Sequence, residues 1–122
     1  MTTMRAIRGA IQVRANESDA IIDGTERLLA EVLSANGLDP DDIVSILFTL
    51  TSDLTAAFPA VAARRLGLVA VPLMCASEVD VPGSLPRVVR LLAHVETDRP
   101  RTRIRHIYLN GAEVLRPDLS RI

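Results

Sequence analysis

This chain pairs one long amphipathic helix with several apolar segments of strand length, and that mismatch limits the folds open to it. The helix is the clearest element. Asn16 or Ser18 is placed to cap its N-terminus, and Glu17, Asp19 and Asp23 lie in or near the first turns, where the helix dipole favours acids. Ile21, Ile22, Leu28, Leu29, Val32 and Leu33 fall on one helical face, and Gly37 stands where a left-handed C-terminal cap belongs. Strands are predicted from Met4 to Val13, Val44 to Thr51, Val69 to Met74 and Val88 to Val95, with Pro72 arguing for an edge or a bulge. Asp39-Pro40 starts a short helical turn, and a second short helix runs from Pro59 to Leu66, closed by Gly67. Val81 to Pro86 reads as loop. Asn110-Gly111 between Ile104–Leu109 and Ala112–Leu115 is a hairpin signal. The reading is α+β: a mixed β-sheet packed on one long and one or two short helices, in a single domain over residues 1–122. One long helix covers only part of one sheet face, so the other face needs a partner, and a homo-oligomer is expected.

Charge and composition remove several function classes. The chain has 14 basic and 15 acidic residues, a formal net charge of -1, and every basic residue is Arg. No global field draws nucleic acid or an anionic membrane. The aromatics are Phe48, Phe58 and Tyr108, too few for a base-stacking platform. A single cysteine, Cys75, excludes an internal disulfide framework and a Cys-cluster zinc site. His94 and His106 lie far apart without ligand spacing, so no metal or other cofactor is expected. The first residues are polar rather than an apolar signal core, and no apolar run reaches the roughly 18 residues of a membrane span. A cytoplasmic enzyme or binding domain is the expectation.

Nucleophile systems cannot be assembled from these residues. Cys75 has no nearby His and reads as a small buried apolar residue, and Gly83-Ser84 is a turn rather than a phosphate loop. The distinctive feature is Arg beside or within apolar strands: Arg8 in Ile7-Arg8-Gly9-Ala10, Arg90 in Val88-Val89-Arg90-Leu91-Leu92, and Arg116 after Val114-Leu115. Such an Arg is costly without an anionic partner. Taken singly, each is accounted for by a salt bridge or a solvated face. The three together point to a pocket for a small polyanion, since guanidinium pairs bidentately with carboxylate. Glu78 is the acid near the strand end at Cys75, and alone it reads as a solvated loop carboxylate. Arg99, Arg101, Arg103 and Arg105 alternate along what is expected to be an extended, solvated edge.

These residues, in this order, resemble the AroH-class monofunctional chorismate mutases. The resemblance runs from Met4 to about Ser120 and rests on Ile7-Arg8-Gly9-Ala10, Thr51-Ser52-Asp53-Leu54, Ala57-Phe58-Pro59-Ala60 and Ala63-Arg64. It continues through Val71-Pro72, Cys75 to Glu78, Arg90, Ile104-Arg105-His106-Ile107-Tyr108-Leu109, and Leu115-Arg116-Pro117-Asp118-Leu119. Val61 and Met74 depart from it, standing where family members often carry polar residues, and the loop after Leu66 looks one residue short.

The resemblance implies a pseudo-barrel homotrimer with active sites between subunits. It implies the Claisen rearrangement of chorismate to prephenate, on the route to phenylalanine and tyrosine. By the same resemblance, Arg90 would donate to the substrate's ether oxygen, Arg8 would bind a carboxylate, and Glu78 would accept from the ring hydroxyl with Cys75 close by. Tyr108 would hydrogen-bond a carboxylate. Phe58 and Ala60 would wall the site from a neighbouring subunit with Arg64 at its mouth. Val71, Leu73 and Met74 would line it, and Leu115 and Arg116 would cover it. Two rivals remain at the level of sequence. One is a non-catalytic trimer of the same fold that binds a small carboxylate. The other is a trimeric α+β enzyme of the imine-deaminase type, against which the Cys75-x-x-Glu78 spacing and the C-terminal segment speak.

Overall fold

The computed structural model describes residues 1–116. Five strands form one mixed sheet: β1 (Thr3–Gln12), β2 (Ile43–Leu50), β3 (Leu73–Ser77), β4 (Val88–Thr97) and β5 (Ile107–Leu109), in the spatial order β3-β2-β4-β1-β5. The central strand β4 is antiparallel to both β1 and β2, while β3 runs parallel to β2 and β5 parallel to β1. Two helices, α1 (Ser18–Ala35) and α2 (Ala60–Arg65), pack on the same face of this sheet.

Strand alternation decides which residues meet the helices. Ile7 and Ile11 of β1, Ile46 and Phe48 of β2, and Val89, Leu91, Ala93 and Val95 of β4 point one way and join Ile21, Leu28, Leu29 and Val32 of α1 in one buried core. The alternate positions point to a face that neither helix covers. Met4, Leu47 and Met74 lie there, 54%, 37% and 69% exposed. The sequence expectation of one covered and one uncovered face therefore holds.

Several local expectations are corrected. Helix α1 has Glu17 at its N-cap with no side-chain cap; Asn16 instead accepts the Thr55 and Ala56 amides at 2.9 and 3.1 Å and pins the loop before α2. Its C-terminus ends as expected at Gly37, with the Gly37 amide donating to Ser34 and the Leu38 amide to Leu33. The third strand starts at Leu73 rather than Val69, because Pro72 has no amide to donate; its carbonyl accepts from Ile46. The arginine-rich segment is not extended: Arg101–Arg103 form a 3₁₀ turn after Pro100. Asn110 and Gly111 both take positive φ, 54° and 100°, as the turn signal requires. No hairpin strand follows. Ala112–Leu115 curl into a 3₁₀ turn that buries Ala112 against Ala10, Val88 and Tyr108, and β5 pairs with β1 instead. Burial of one small side chain outweighs a local turn preference.

Helix α1 approaches the sheet closely at Gly24. A Cβ built there would lie 2.8 Å from Val13 Cγ1, and the β-branched Val13 has little freedom to yield. Gly→Ala in an ordinary helix interior stabilises by about 1 kcal/mol. Gly24→Ala is expected to reverse that sign and lower the melting temperature, by overpacking that costs about 1–3 kcal/mol. A raised melting temperature in differential scanning calorimetry would contradict this packing.

Candidate active site

The uncovered face carries the charge. Across it runs a row set by strand register: Thr49 on β2 opposes Arg90 on β4, Arg90 opposes Ala10 on β1, and Ala10 pairs with Tyr108 on β5. Ala10 is the small member between two large ones, so the row sags into a cavity of about 360 Å³ lined by Arg8, Leu47, Thr49, Arg90, Leu92 and Tyr108. Arg8 enters from the next row, opposite Leu92.

Arg90 stands on the central strand and has one counter-ion. Glu78 follows β3, its amide donating to the Leu50 carbonyl at 2.8 Å, which swings its side chain over β2. Thr49 Oγ1 donates to Glu78 Oε2 at 2.6 Å, and the same oxygen lies 2.9 Å from Arg90 Nε. That Nε is enclosed by protein and its N–H is off the line to the oxygen, so the contact is coulombic rather than a well-aimed hydrogen bond. The Glu78 side chain is 17% exposed and that of Arg90 35%. Among the described residues, the Arg8 guanidinium meets neither a carboxylate nor a carbonyl. Two guanidinium groups against one carboxylate leave the cavity positive and short of an anion.

The start of β4 is clamped so that Arg90 is held in register. Thr51 exchanges bonds with Val88, its amide donating to the Val88 carbonyl at 3.0 Å and its Oγ1 accepting the Val88 amide at 3.0 Å. Asp53 accepts the Arg87 amide at 2.9 Å, holding Arg87 at φ 55°. The Thr51-Ser52-Asp53 motif thus acts on Arg90 through the backbone. At the far end of the row, Tyr108 is buried with Ala10, Val88 and Ala112, and Leu115 packs against this cluster from the segment after β5.

Comparison with known proteins bears directly on this face. Residues 4–119 match the family model described as chorismate mutase type I. The chain belongs to the type I chorismate mutase family. It is 52% identical over 118 residues to chorismate mutase AroH of Thermus thermophilus, covering 96% of this chain and 97% of that one. It is 43% identical over 118 residues to chorismate mutase AroH of Bacillus subtilis (strain 168), covering 96% and 93%. A chorismate mutase structure from Clostridium thermocellum superposes with a TM-score of 0.89 at 53% identity, covering 90% of this chain and 98% of that one. These likenesses favour the isomerase over the non-catalytic carboxylate binder.

The structure gathers Arg8, Glu78, Arg90 and Tyr108 around one cavity wall of a single chain, but it divides the other expected residues of this chorismate mutase. Cys75 pairs with Phe48 in register and packs against the helix-side core, so its side chain turns away from Arg90. Leu73 does the same, and Val71, before the strand, also packs against that core. Met74 lies on the open face at the sheet edge. Phe58, 71% exposed, shares with Cys75 a second cavity of about 330 Å³ beyond the end of β2. Ala60 is buried and Arg64 exposed on α2. Arg116 lies near His106, and Pro117, Asp118 and Leu119 fall outside the described residues.

Thr49 was not singled out by sequence reasoning. Its signal is a hydroxyl one strand period from Leu47 in an otherwise apolar segment. Because the Thr49 hydroxyl holds a charged acceptor, Thr49→Val is expected to lower kcat/KM for chorismate about tenfold, with Thr49→Ser close to the parent. Initial-rate kinetics check this, and an unchanged Val variant would remove Thr49 from the site.

Proposed function

We propose that this protein rearranges chorismate to prephenate on its uncovered sheet face, as a homotrimer whose subunits complete one another's sites. The observation that carries the reading is the pair Arg8 and Arg90 facing one cavity with a single carboxylate between them and the solvent. Chorismate is a dianion with an ether-linked enolpyruvyl arm. In the reaction its C–O bond breaks while a C–C bond forms across the ring, within one molecule and with no proton transferred. The protein's tasks are therefore orientation and charge stabilisation.

Arg8 and Tyr108 hold the carboxylates and fold the arm over the ring. Arg90 donates to the ether oxygen, which gains negative charge as C–O cleavage runs ahead of C–C formation. An interaction that strengthens along this coordinate raises the rate rather than only the affinity. Glu78 accepts from the ring hydroxyl and, with Thr49, keeps the Arg90 guanidinium at a fixed place. Leu115 and Arg116 close over the cavity beside Tyr108.

Exposed apolar side chains support the assembly. Met4, Leu47 and Met74 lie on the open face, and Phe58 projects from the loop before α2. In this reading Phe58, Met74 and Arg64 reach the cavity of a neighbouring subunit. Ala60, Leu73 and Cys75 face their own core and shape the walls behind them. No helix among the described residues is long and apolar enough to cross a membrane.

The test is loss of chorismate's ultraviolet absorbance with prephenate as product. Arg90→Ala is expected to lower kcat by about 10²-fold or more, as removal of one donor to developing charge does. An unchanged kcat would take Arg90 out of the mechanism. Sedimentation is expected to give a species of three chain masses, and Met74→Asp is expected to dissociate it. A monomer with full activity would contradict the shared site.

A further inference from the structure

We infer that His106 is a positioning residue for Arg8, acting through the backbone of β1; the inference rests on the carboxylate-binding role proposed for Arg8. Strand β5 begins at Ile107, paired with Gly9, so the Arg8 amide lies just before the start of the parallel ladder. The imidazole fills that position: the Arg8 amide donates to His106 Nδ1 at 2.9 Å. His106 is itself fixed from the other side. Asn36, buried at the end of α1, donates to the Arg105 carbonyl at 2.9 Å and accepts the Arg105 amide at 2.8 Å. The path from helix to site thus runs Asn36, Arg105, His106, Arg8, and it also sets the start of the strand that carries Tyr108.

This contact needs a neutral ring with its proton on Nε2, because Nδ1 is the acceptor. The surroundings favour that form. Burial, then the positive charges of Arg8 and Arg116, hold the His106 pKa below its ordinary value. The cavity on its other side is lined by Arg5, His94 and Arg101 with Met4, Ala6 and Ile104, and no carboxylate is among its lining groups. Glu96, beyond His94 on β4 and opposite Met4, is the nearest acid along that sheet face. Protonation would place an N–H against the Arg8 amide and a third cation beside two arginines. The amide would lose its acceptor, and Arg8 its alignment.

The rearrangement transfers no proton, and both substrate carboxyls stay ionised from about pH 5 to about pH 8. An acid limb in that range therefore reports the protein. As pH falls below the ordinary histidine range, KM is expected to rise while kcat changes less. The dianion favours a protonated ring once bound, so the limb belongs to kcat/KM, which reads the free enzyme. The experiment compares the parent with His106→Asn, whose Oδ1 stands in for Nδ1 and does not titrate, and with His106→Leu, which offers no acceptor. His106→Asn is expected to keep KM within about threefold at pH 8 and to lose the acid limb. His106→Leu is expected to raise KM about tenfold at every pH, since a backbone donor is left unpaired.

A second readout is independent of turnover. In ¹⁵N-labelled protein, the Arg8 amide shift is expected to titrate together with the His106 ring in the parent and to be flat in His106→Asn. An acid limb that persists in His106→Asn, or an Arg8 amide indifferent to the His106 titration, overturns the inference. Failure of the parent to turn over chorismate, with the amide titration intact, overturns the functional reading and leaves the His106–Arg8 coupling standing. A His106→Leu variant that fails to fold does not remove the test, because the Asn profile and the amide titration decide it.

Discussion

Arg90 sits on the central strand of a five-stranded sheet, and its charge needs an answer on the one face the helices leave open. A guanidinium there is costly unless an anion meets it. The chain supplies Glu78, brought over β2 by an amide-to-carbonyl bond and oriented by the Thr49 hydroxyl. This compensates Arg90 only in part, and Arg8 adds a second positive charge one row away. The surplus is what a dianion can meet. A site with more carboxylates would be stable and empty of purpose; one with fewer would not tolerate Arg90 in the middle of the sheet.

The rest of the fold serves that placement. The core under β4 is built from Val89, Leu91, Ala93 and Val95 against α1, so strand parity leaves Arg90 on the opposite side. The Thr51 and Asp53 clamps fix where β4 begins, and a one-residue slip would turn Arg90 into the core. Asn36 and His106 do the corresponding work for β1 and β5. The same apolar economy leaves Met4, Leu47 and Met74 uncovered, so the face that binds charge is also the face that seeks neighbouring subunits.

Arg8 and Arg90 were legible in the sequence because a charge in an apolar strand is anomalous wherever the strand lies. The long helix, its Gly37 cap and the one-sided coverage were legible for a similar reason: each is a local pattern with one good physical solution. Cys75 and Leu73 were misplaced because their face depends on parity and pairing within β3, which Pro72 starts four residues later than the apolar pattern suggests. Asn110-Gly111 made its turn, yet the partner strand did not form, since burial of Ala112 is a long-range gain invisible to a turn signal. Thr49 and His106 act through contacts 29 and 98 residues away, which no local pattern encodes.

The central claim is that Arg90, held by Glu78, recognises charge that appears only as the ether bond breaks. It is tested most directly by titrating a stable bicyclic ether dicarboxylate, shaped like the folded transition state, into the parent, Arg90→Lys and Glu78→Gln by calorimetry. Affinity for this compound is expected to fall in proportion to kcat/KM across the series, while affinity for prephenate falls less. A large loss of kcat/KM with analogue affinity unchanged would contradict the account.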